Sequence, residues 1–190
     1  MSAAEERIWK WIEREKKPGQ RMLIAMDGRC AAGKTTLAQQ LQESMGCSVF
    51  HMDDFFLRPE QRTEERLRTP GGNVDYERFL SEVLLPLRSG AEQILLRAFD
   101  CGLQTLSEPV HVKAGEIILI EGAYSCHPAL WDHYDLRLFV DISPREQRRR
   151  ILDRNGKDGW EVFCSRWIPL EEKYFQAYQV KERCDYCLSG

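Results

Sequence analysis

No stretch of this chain approaches the ~20 consecutive apolar residues that a membrane-spanning helix requires. The first nine residues, Met1 to Trp9, carry charge where a secretory leader would need an apolar core, so no export signal is read there. Positive charge is not in excess: 27 Lys and Arg stand against 30 Asp and Glu, a net charge of −3, which argues against an extended nucleic-acid-binding face. The seven cysteines, at 30, 47, 101, 126, 164, 184 and 187, are odd in number and irregularly spaced, a pattern of a reducing compartment rather than a disulfide scaffold. Cys184-Asp-Tyr-Cys187 is a C-x-x-C with no second pair, so it reads as structural thiols of a terminal strand rather than a zinc or redox centre. There are no repeats, no low-complexity tracts and no composition break that would mark a second domain. The expectation is a cytoplasmic protein of a single domain over residues 1–190, with neither membrane nor nucleic acid as partner and assembly into a homo-oligomer left open.

One octamer dominates what is present. Gly28-Arg29-Cys30-Ala31-Ala32-Gly33-Lys34-Thr35 spells G-x-x-x-x-G-K-[ST], followed by Thr36. Two glycines let the backbone curl so that successive N–H groups face phosphate oxygens, Lys34 reaches the β- and γ-phosphates, and the Thr35 hydroxyl ligates Mg²⁺. The surroundings fit: an apolar run over 21–26 reads as a strand, and Leu37, Leu41 and Met45 recur at helical spacing until Gly46. The helix N-terminus adds its dipole to the anion site. Binding of a nucleoside triphosphate is the expectation, with Cys30 read as a spacer.

The remaining order is strand, helix, strand. Residues 3–17 form an amphipathic helix ended by Pro18-Gly19, within an N-terminal element spanning 1–19. Strands are expected near 48–52, 116–121 and 136–140, a short one near 184–188, and helices at 76–88, from Ser143 onward and around Trp160, interrupted at Pro169. Residues 93–98 and 109–113 suit a small hairpin. Residues 53–75, with Pro59, Pro70, Gly71, Gly72 and four arginines, read as a long polar loop of the kind that covers a binding site. Apolar strands alternating with helices predict an α/β fold: three α/β/α layers around a mostly parallel five-stranded sheet, with a small lid.

In such a sheet, functional groups gather at the carboxyl ends of the strands. Asp27, the pair Asp53 and Asp54, and Glu121 all fall there. Glu121 suits metal orientation, or else a turn; of the adjacent aspartates, one is expected to face the phosphates as a catalytic group.

These elements together resemble the P-loop kinases of the uridine kinase, nicotinamide riboside kinase and phosphoribulokinase type. The resemblance rests on Gly-x4-Gly-Lys-Thr, His51-Met-Asp-Asp-Phe-Phe56, Ile120-Glu121-Gly122 and the Arg-rich helix after Asp141. It implies an ATP·Mg²⁺-dependent kinase acting on a small-molecule acceptor, at the 5′-hydroxyl of a ribonucleoside by the closest analogy and at pantothenate or a sugar by the next, with a regulatory ATP-binding P-loop protein as the alternative of another class. Asp53 would then be the general base and, with Thr35 and Glu121, part of the metal site. Lys34 and Arg149 would act on the transferring phosphoryl group, while Arg145 and Arg148, in a lid over 143–158, would bind the nucleotide. Asp75 of Asn73-Val-Asp75 would hold ribose hydroxyls, although it equally suits the N-cap of the 76–88 helix. Phe56, Arg62 and Phe99 complete the substrate side. Phe99-Asp-Cys101 and Gln104 depart from the pattern of pyrimidine recognition.

Overall fold

The computed structural model describes residues 3–189. Its centre is a five-stranded sheet in the order β2-β7-β1-β8-β9, built from β1 (Met22–Gly28), β2 (Ser48–His51), β7 (Ile117–Glu121), β8 (Leu136–Asp141) and β9 (Tyr186–Ser189). Every pairing in this sheet is parallel, so the expected architecture is present and the sheet is wholly rather than mostly parallel. All seven residues of β1 are buried, as a central parallel strand covered on both faces requires.

The two-residue period of β1 divides the core. Leu23 and Ala25 face a layer formed by α4 (76–88) and α6 (Ile168–Tyr178), through Phe79, Val83, Leu84, Leu87, Tyr174 and Phe175. Met22, Ile24 and Met26 face α1 (Ala3–Glu15) and α2 (Lys34–Met45), through Ile8, Ile12, Leu37, Ala38 and Leu41. Each such fully buried aliphatic side chain contributes about 1.5–3 kcal/mol.

Four small strands form the side lobe: β3 (Gln93–Leu96) pairs antiparallel with β6 (Val110–Lys113), and β4 (Phe99–Asp100) with β5 (Thr105–Leu106). Three expectations change. Residues 53–75 are not an irregular loop: 3₁₀ turns at Met52–Phe55 and Pro59–Gln61 and the helix α3 (Glu64–Arg68) organise them, and a bridge between Phe56 and Val74 closes the segment at its neck. Helix α5 (Pro144–Val162) starts at the N-cap Ser143, as the sequence suggests, but bends at Gly156, whose φ of 69° is left-handed. Pro169 does not interrupt the helix that follows. It sits in continuous helix directly after a π-helical turn over Phe163–Trp167, where the Ile168 N–H bonds the Phe163 carbonyl and the shifted register accommodates a residue without an N–H. The N-terminal helix ends at Glu15, and Cys187 lies in β9 with Cys184 just before it.

Candidate active site

The phosphate loop begins where β1 ends. Gly28 has φ of 137°, and a Cβ there would lie 2.1 Å from the Val140 carbonyl oxygen, so neither conformation nor space admits a side chain. Gly33, at φ 95°, is the N-cap of α2. Cys30, Ala31, Gly33, Lys34, Thr35 and Thr36 line a cavity of about 650 Å³. Gly28 and Ala32 do not line it. The side chain of Arg29 turns away to Asp141, at 2.8 Å, and to Glu172. Lys34 folds into the loop and donates to the carbonyl oxygens of Gly28 (2.6 Å) and Arg29 (2.9 Å), so its ammonium is held at the centre of the anion cradle.

Opposite the loop, β7 delivers Glu121. The Thr35 hydroxyl donates to its carboxylate, with Oγ1 at 3.1 Å from Oε1 and 3.3 Å from Oε2. The His51 ring lies 2.6 Å from Oε1 through Nδ1, and this contact raises the His51 pKa above its ordinary value, so the pair carries opposite charges more readily. Gly122, at φ 133°, follows immediately, packed against Met52 and Asp53. The register His51↔Glu121 places the end of β2 beside the end of β7, which brings Asp53 into the same cavity. Asp53 opens to that cavity, and no described group donates a hydrogen bond to its carboxylate. Water withheld by the surrounding protein, and next the negative charge of Glu121, push its pKa above the usual carboxylate range. Asp54 does not line the cavity; its carbonyl oxygen accepts from Arg78 at 3.1 Å.

Asp27, the third acid at the strand ends, has a different task. It is fully buried and accepts from the N–H groups of Gly28 (2.7 Å), Tyr124 (3.2 Å) and Cys126 (3.0 Å) and from the Tyr174 hydroxyl (2.8 Å). It ties the loop, the 122–126 turn and α6 together. Burial raises its pKa against the pull of these donors.

The structure brings Arg150 and Arg154, rather than Arg145, Arg148 and Arg149, to the cavity. Arg149 is exposed and paired with Glu146 (2.6 Å) and Asp153 (2.9 Å), and Arg148 lies 5.6 Å from the Trp160 ring. Arg150 donates to the Ala31 carbonyl oxygen at 3.2 Å. Their i, i+4 spacing, on the side of the helix that buries Gln147 and Ile151, was the available signal.

Asp75 is only 2% exposed and caps α4, accepting from the Arg78 N–H (3.1 Å) and from Gln61 Nε2 (2.8 Å). Of its two readings the structure supports the cap, and Asp75 does not line the cavity. Phe99 is buried beneath Arg62, whose guanidinium lies 5.5 Å from the ring; neither reaches the cavity, whereas Phe56 does. Glu171 was not anticipated. It is buried on α6, lines the cavity, and accepts from the Cys30 N–H at 2.9 Å. Burial and Glu171 push the Cys30 thiol up to about 12, which keeps it protonated and unreactive and fits its reading as a spacer.

A phosphate loop closed by a facing Thr–Glu pair, on a parallel sheet of this order, defines a P-loop NTPase. No protein-family model matches the chain. It is 27% identical over 190 residues to the bifunctional α-galactosidase/sucrose kinase AgaSK of Mediterraneibacter gnavus, which covers 88% of this chain and 20% of that protein. It is 29% identical over 163 residues to mouse nicotinamide riboside kinase 2, covering 81% and 80% of the two chains. The structure of a possible uridine kinase from Bacillus stearothermophilus superposes with a TM-score of 0.74 at 23% identity, covering 97% and 96%, and so shares the fold. The chain thus has a P-loop NTPase fold and is similar in sequence to uridine, nicotinamide riboside and pantothenate kinases, while it spans only a fifth of the sucrose kinase protein it matches.

Proposed function

We propose that this protein transfers the γ-phosphoryl group of ATP to a hydroxyl of a small-molecule acceptor. The observation that carries the reading is the convergence of the phosphate loop, the Thr35–Glu121 pair and the unbonded Asp53 carboxylate on one cavity. Phosphoryl transfer needs positioning, charge neutralisation and a group to take the hydroxyl proton. Asp53 removes that proton as the acceptor oxygen bonds to phosphorus and the bond to the bridging oxygen of ADP breaks. Lys34 leaves the carbonyls of Gly28 and Arg29 to meet the phosphates, and Arg150 and Arg154 approach from α5.

The oxygens of Thr35 and Glu121, with those of the nucleotide, fit Mg²⁺, a hard cation that keeps several water and phosphate ligands. The repulsion between Asp53 and Glu121 is of the kind a divalent cation relieves. Bound there, the ion would supply charge neutralisation at the transferring group.

The narrower reading, the 5′-hydroxyl of a ribonucleoside, draws on the nicotinamide riboside and uridine kinases among the relatives. It loses the support of Asp75, which is occupied beneath α4. The sucrose and pantothenate kinases among the relatives keep non-nucleoside alcohols in contention.

The test is acceptor-dependent ADP formation by the full chain with uridine, nicotinamide riboside, pantothenate and sucrose, repeated in Lys34→Ala. The variant should retain its circular dichroism and lose transfer by about a hundredfold or more, since a phosphate contact in a desolvated site is gone. Undiminished turnover in Lys34→Ala would refute the reading.

A further inference from the structure

The cavity at the phosphate loop is one half of a longer trough. A second cavity, of about 670 Å³, adjoins it, and Phe56, Asn73 and Trp167 line both. The Phe56 and Trp167 rings, with centroids 6.5 Å apart, stand at the junction. Charge differs between the halves. The first carries both signs, with Asp53, Glu121 and Glu171 beside Lys34, Arg150 and Arg154, whereas Arg62, Arg166 and Lys173 line the second and no Asp or Glu lines it. Helix α6 contributes to the difference. Glu171 points to the phosphate loop, while Leu170 and Lys173, three residues apart on one helical face, point to the second cavity.

The three cations share a second property. Among the described residues, none has a carboxylate partner, whereas the other arginines of the 53–75 segment each have one. Arg58 pairs with Glu60 at 3.3 Å, Arg66 with Glu77 at 2.5 Å, and Arg68 with Glu64. Arg62 instead gives Nε and Nη2 to the Leu57 carbonyl oxygen, at 3.0 and 2.9 Å, which fixes the guanidinium without neutralising it. Lys173 donates to the Arg68 carbonyl oxygen at 2.5 Å, and Arg166 lies 4.5 Å from the Trp167 ring centroid. Positive charge of one sign in a concave site with apolar walls, here Leu57, Leu67 and Leu170, focuses the field on whatever enters.

Resting on the kinase reading above, we infer that the second cavity holds the non-reacting end of the acceptor, and that this end carries an anionic group, a carboxylate or a phosphate. The acceptor is then a small organic alcohol with its hydroxyl at Asp53 and its anion among Arg62, Arg166 and Lys173. A neutral ribonucleoside leaves those cations unanswered.

Matched pairs decide the matter: D-pantothenate against D-panthenol, D-gluconate against D-glucitol, and glycerol 3-phosphate against glycerol, with uridine as a neutral reference. The first two pairs separate carboxylate recognition from the phosphate recognition read by the third. ADP formation is measured for each, together with the rise in thermal midpoint of the full chain saturated with a non-hydrolysable ATP analogue and Mg²⁺. In each pair that is turned over, the anionic member should exceed its neutral partner by about tenfold or more in kcat/KM, the scale of a charge-assisted hydrogen bond. Arg166→Ala with Lys173→Ala should erase that preference while leaving the KM for ATP unchanged, and Arg166→Lys with Lys173→Arg should restore it. A neutral member used as well as its anionic partner, or a preference that survives the double alanine variant, overturns the inference and leaves the kinase standing. So does the absence of any midpoint rise with all anionic compounds while the ATP analogue still stabilises the protein. Failure of the analogue itself to bind would overturn the kinase reading and this inference with it.

Discussion

Asp27→Ala should be among the most damaging single substitutions in this protein, although Asp27 touches neither cavity. The carboxylate is fully buried and satisfies three backbone N–H groups and one tyrosine hydroxyl. Alanine leaves all of these donors without a partner and without access to water. An orphaned buried donor costs about 1–3 kcal/mol, so the gross loss over four of them is about 4–12 kcal/mol. Removing a buried charge returns part of this, because burial already works against the ionised form. The net expectation is a loss of about 3–5 kcal/mol, the range seen when one side of a buried polar arrangement is deleted. That is a large fraction of the ~5–15 kcal/mol that holds a domain together. Asparagine should fall between alanine and wild type, since it keeps one acceptor oxygen but turns an N–H toward donors that need an acceptor. Urea unfolding at neutral pH, followed by tryptophan fluorescence, gives the comparison directly. ATP affinity should fall in parallel, because the Gly28 N–H that Asp27 holds begins the phosphate loop. An alanine variant within about 1 kcal/mol of wild type would refute the reasoning, since the protein would then have tolerated four unanswered donors.

Asp53→Asn should lower kcat by ~10²-fold or more with little change in ATP affinity, and Asp54→Asn should be milder; steady-state kinetics showing the reverse order would assign the base to Asp54. His127 predicts a pH effect on stability. It is buried in a stack, with Tyr76 at 3.9 Å and Tyr174 at 6.4 Å between ring centroids, and burial lowers its pKa from 6.5 to about 4. A depressed folded value means that the stabilisation is present above about 6.5 and is lost as pH falls from there toward about 4, a change of about 3 kcal/mol. His127→Gln should flatten that part of the pH profile of urea midpoints, and an unchanged slope would contradict it. Asp75→Ala should cost about 1 kcal/mol or more as a lost helix cap, while leaving the ratio of ribonucleoside to 2′-deoxyribonucleoside use unchanged; a selective loss of ribonucleoside use would restore the sugar-binding reading.

Local chemistry was legible, and contacts between distant segments were not. The octamer from Gly28 to Thr35 carries its own geometry, because its glycines and its Lys-Thr pair act within a few residues of one another. Three of the five strands of the core sheet are built on apolar runs or end in a carboxylate, and the helix start at Ser143-Pro-Arg-Glu146 is set by its cap, so these too could be read. Glu171 could not be separated from Glu172 by residue type. One is buried against the Cys30 N–H and the other pairs with Arg29 at the surface, and only the docking of α6 decides which. The same holds for the arginines of α5, where the bend at Gly156 and the packing of Gln147 choose Arg150 and Arg154 over their neighbours. Asp75 shows an ambiguity inherent in the residue: an aspartate before a helix serves equally as cap or ligand, and only the partners Arg78 and Gln61 settle its place. Residues 53–75 misled because proline and glycine signal turns without revealing that the turns stack into short helices.

The bridge between Phe56 and Val74 makes the segment between them a cassette. Its two ends meet at one point, reinforced by the Asp75 N–H to Phe55 carbonyl bond at 2.7 Å, while Gln61 and Arg66 from its interior bond to Asp75 and Glu77 at the start of α4. Asp53, the proposed proton acceptor, lies outside the neck, while Leu57, Arg62 and Leu67 of the second cavity lie within it. On the proposed kinase reading, the acceptor's far end and Asp53 would then lie on opposite sides of one backbone bridge, and a relative's segment spliced between Phe56 and Val74 should redirect acceptor choice while sparing the phosphate loop.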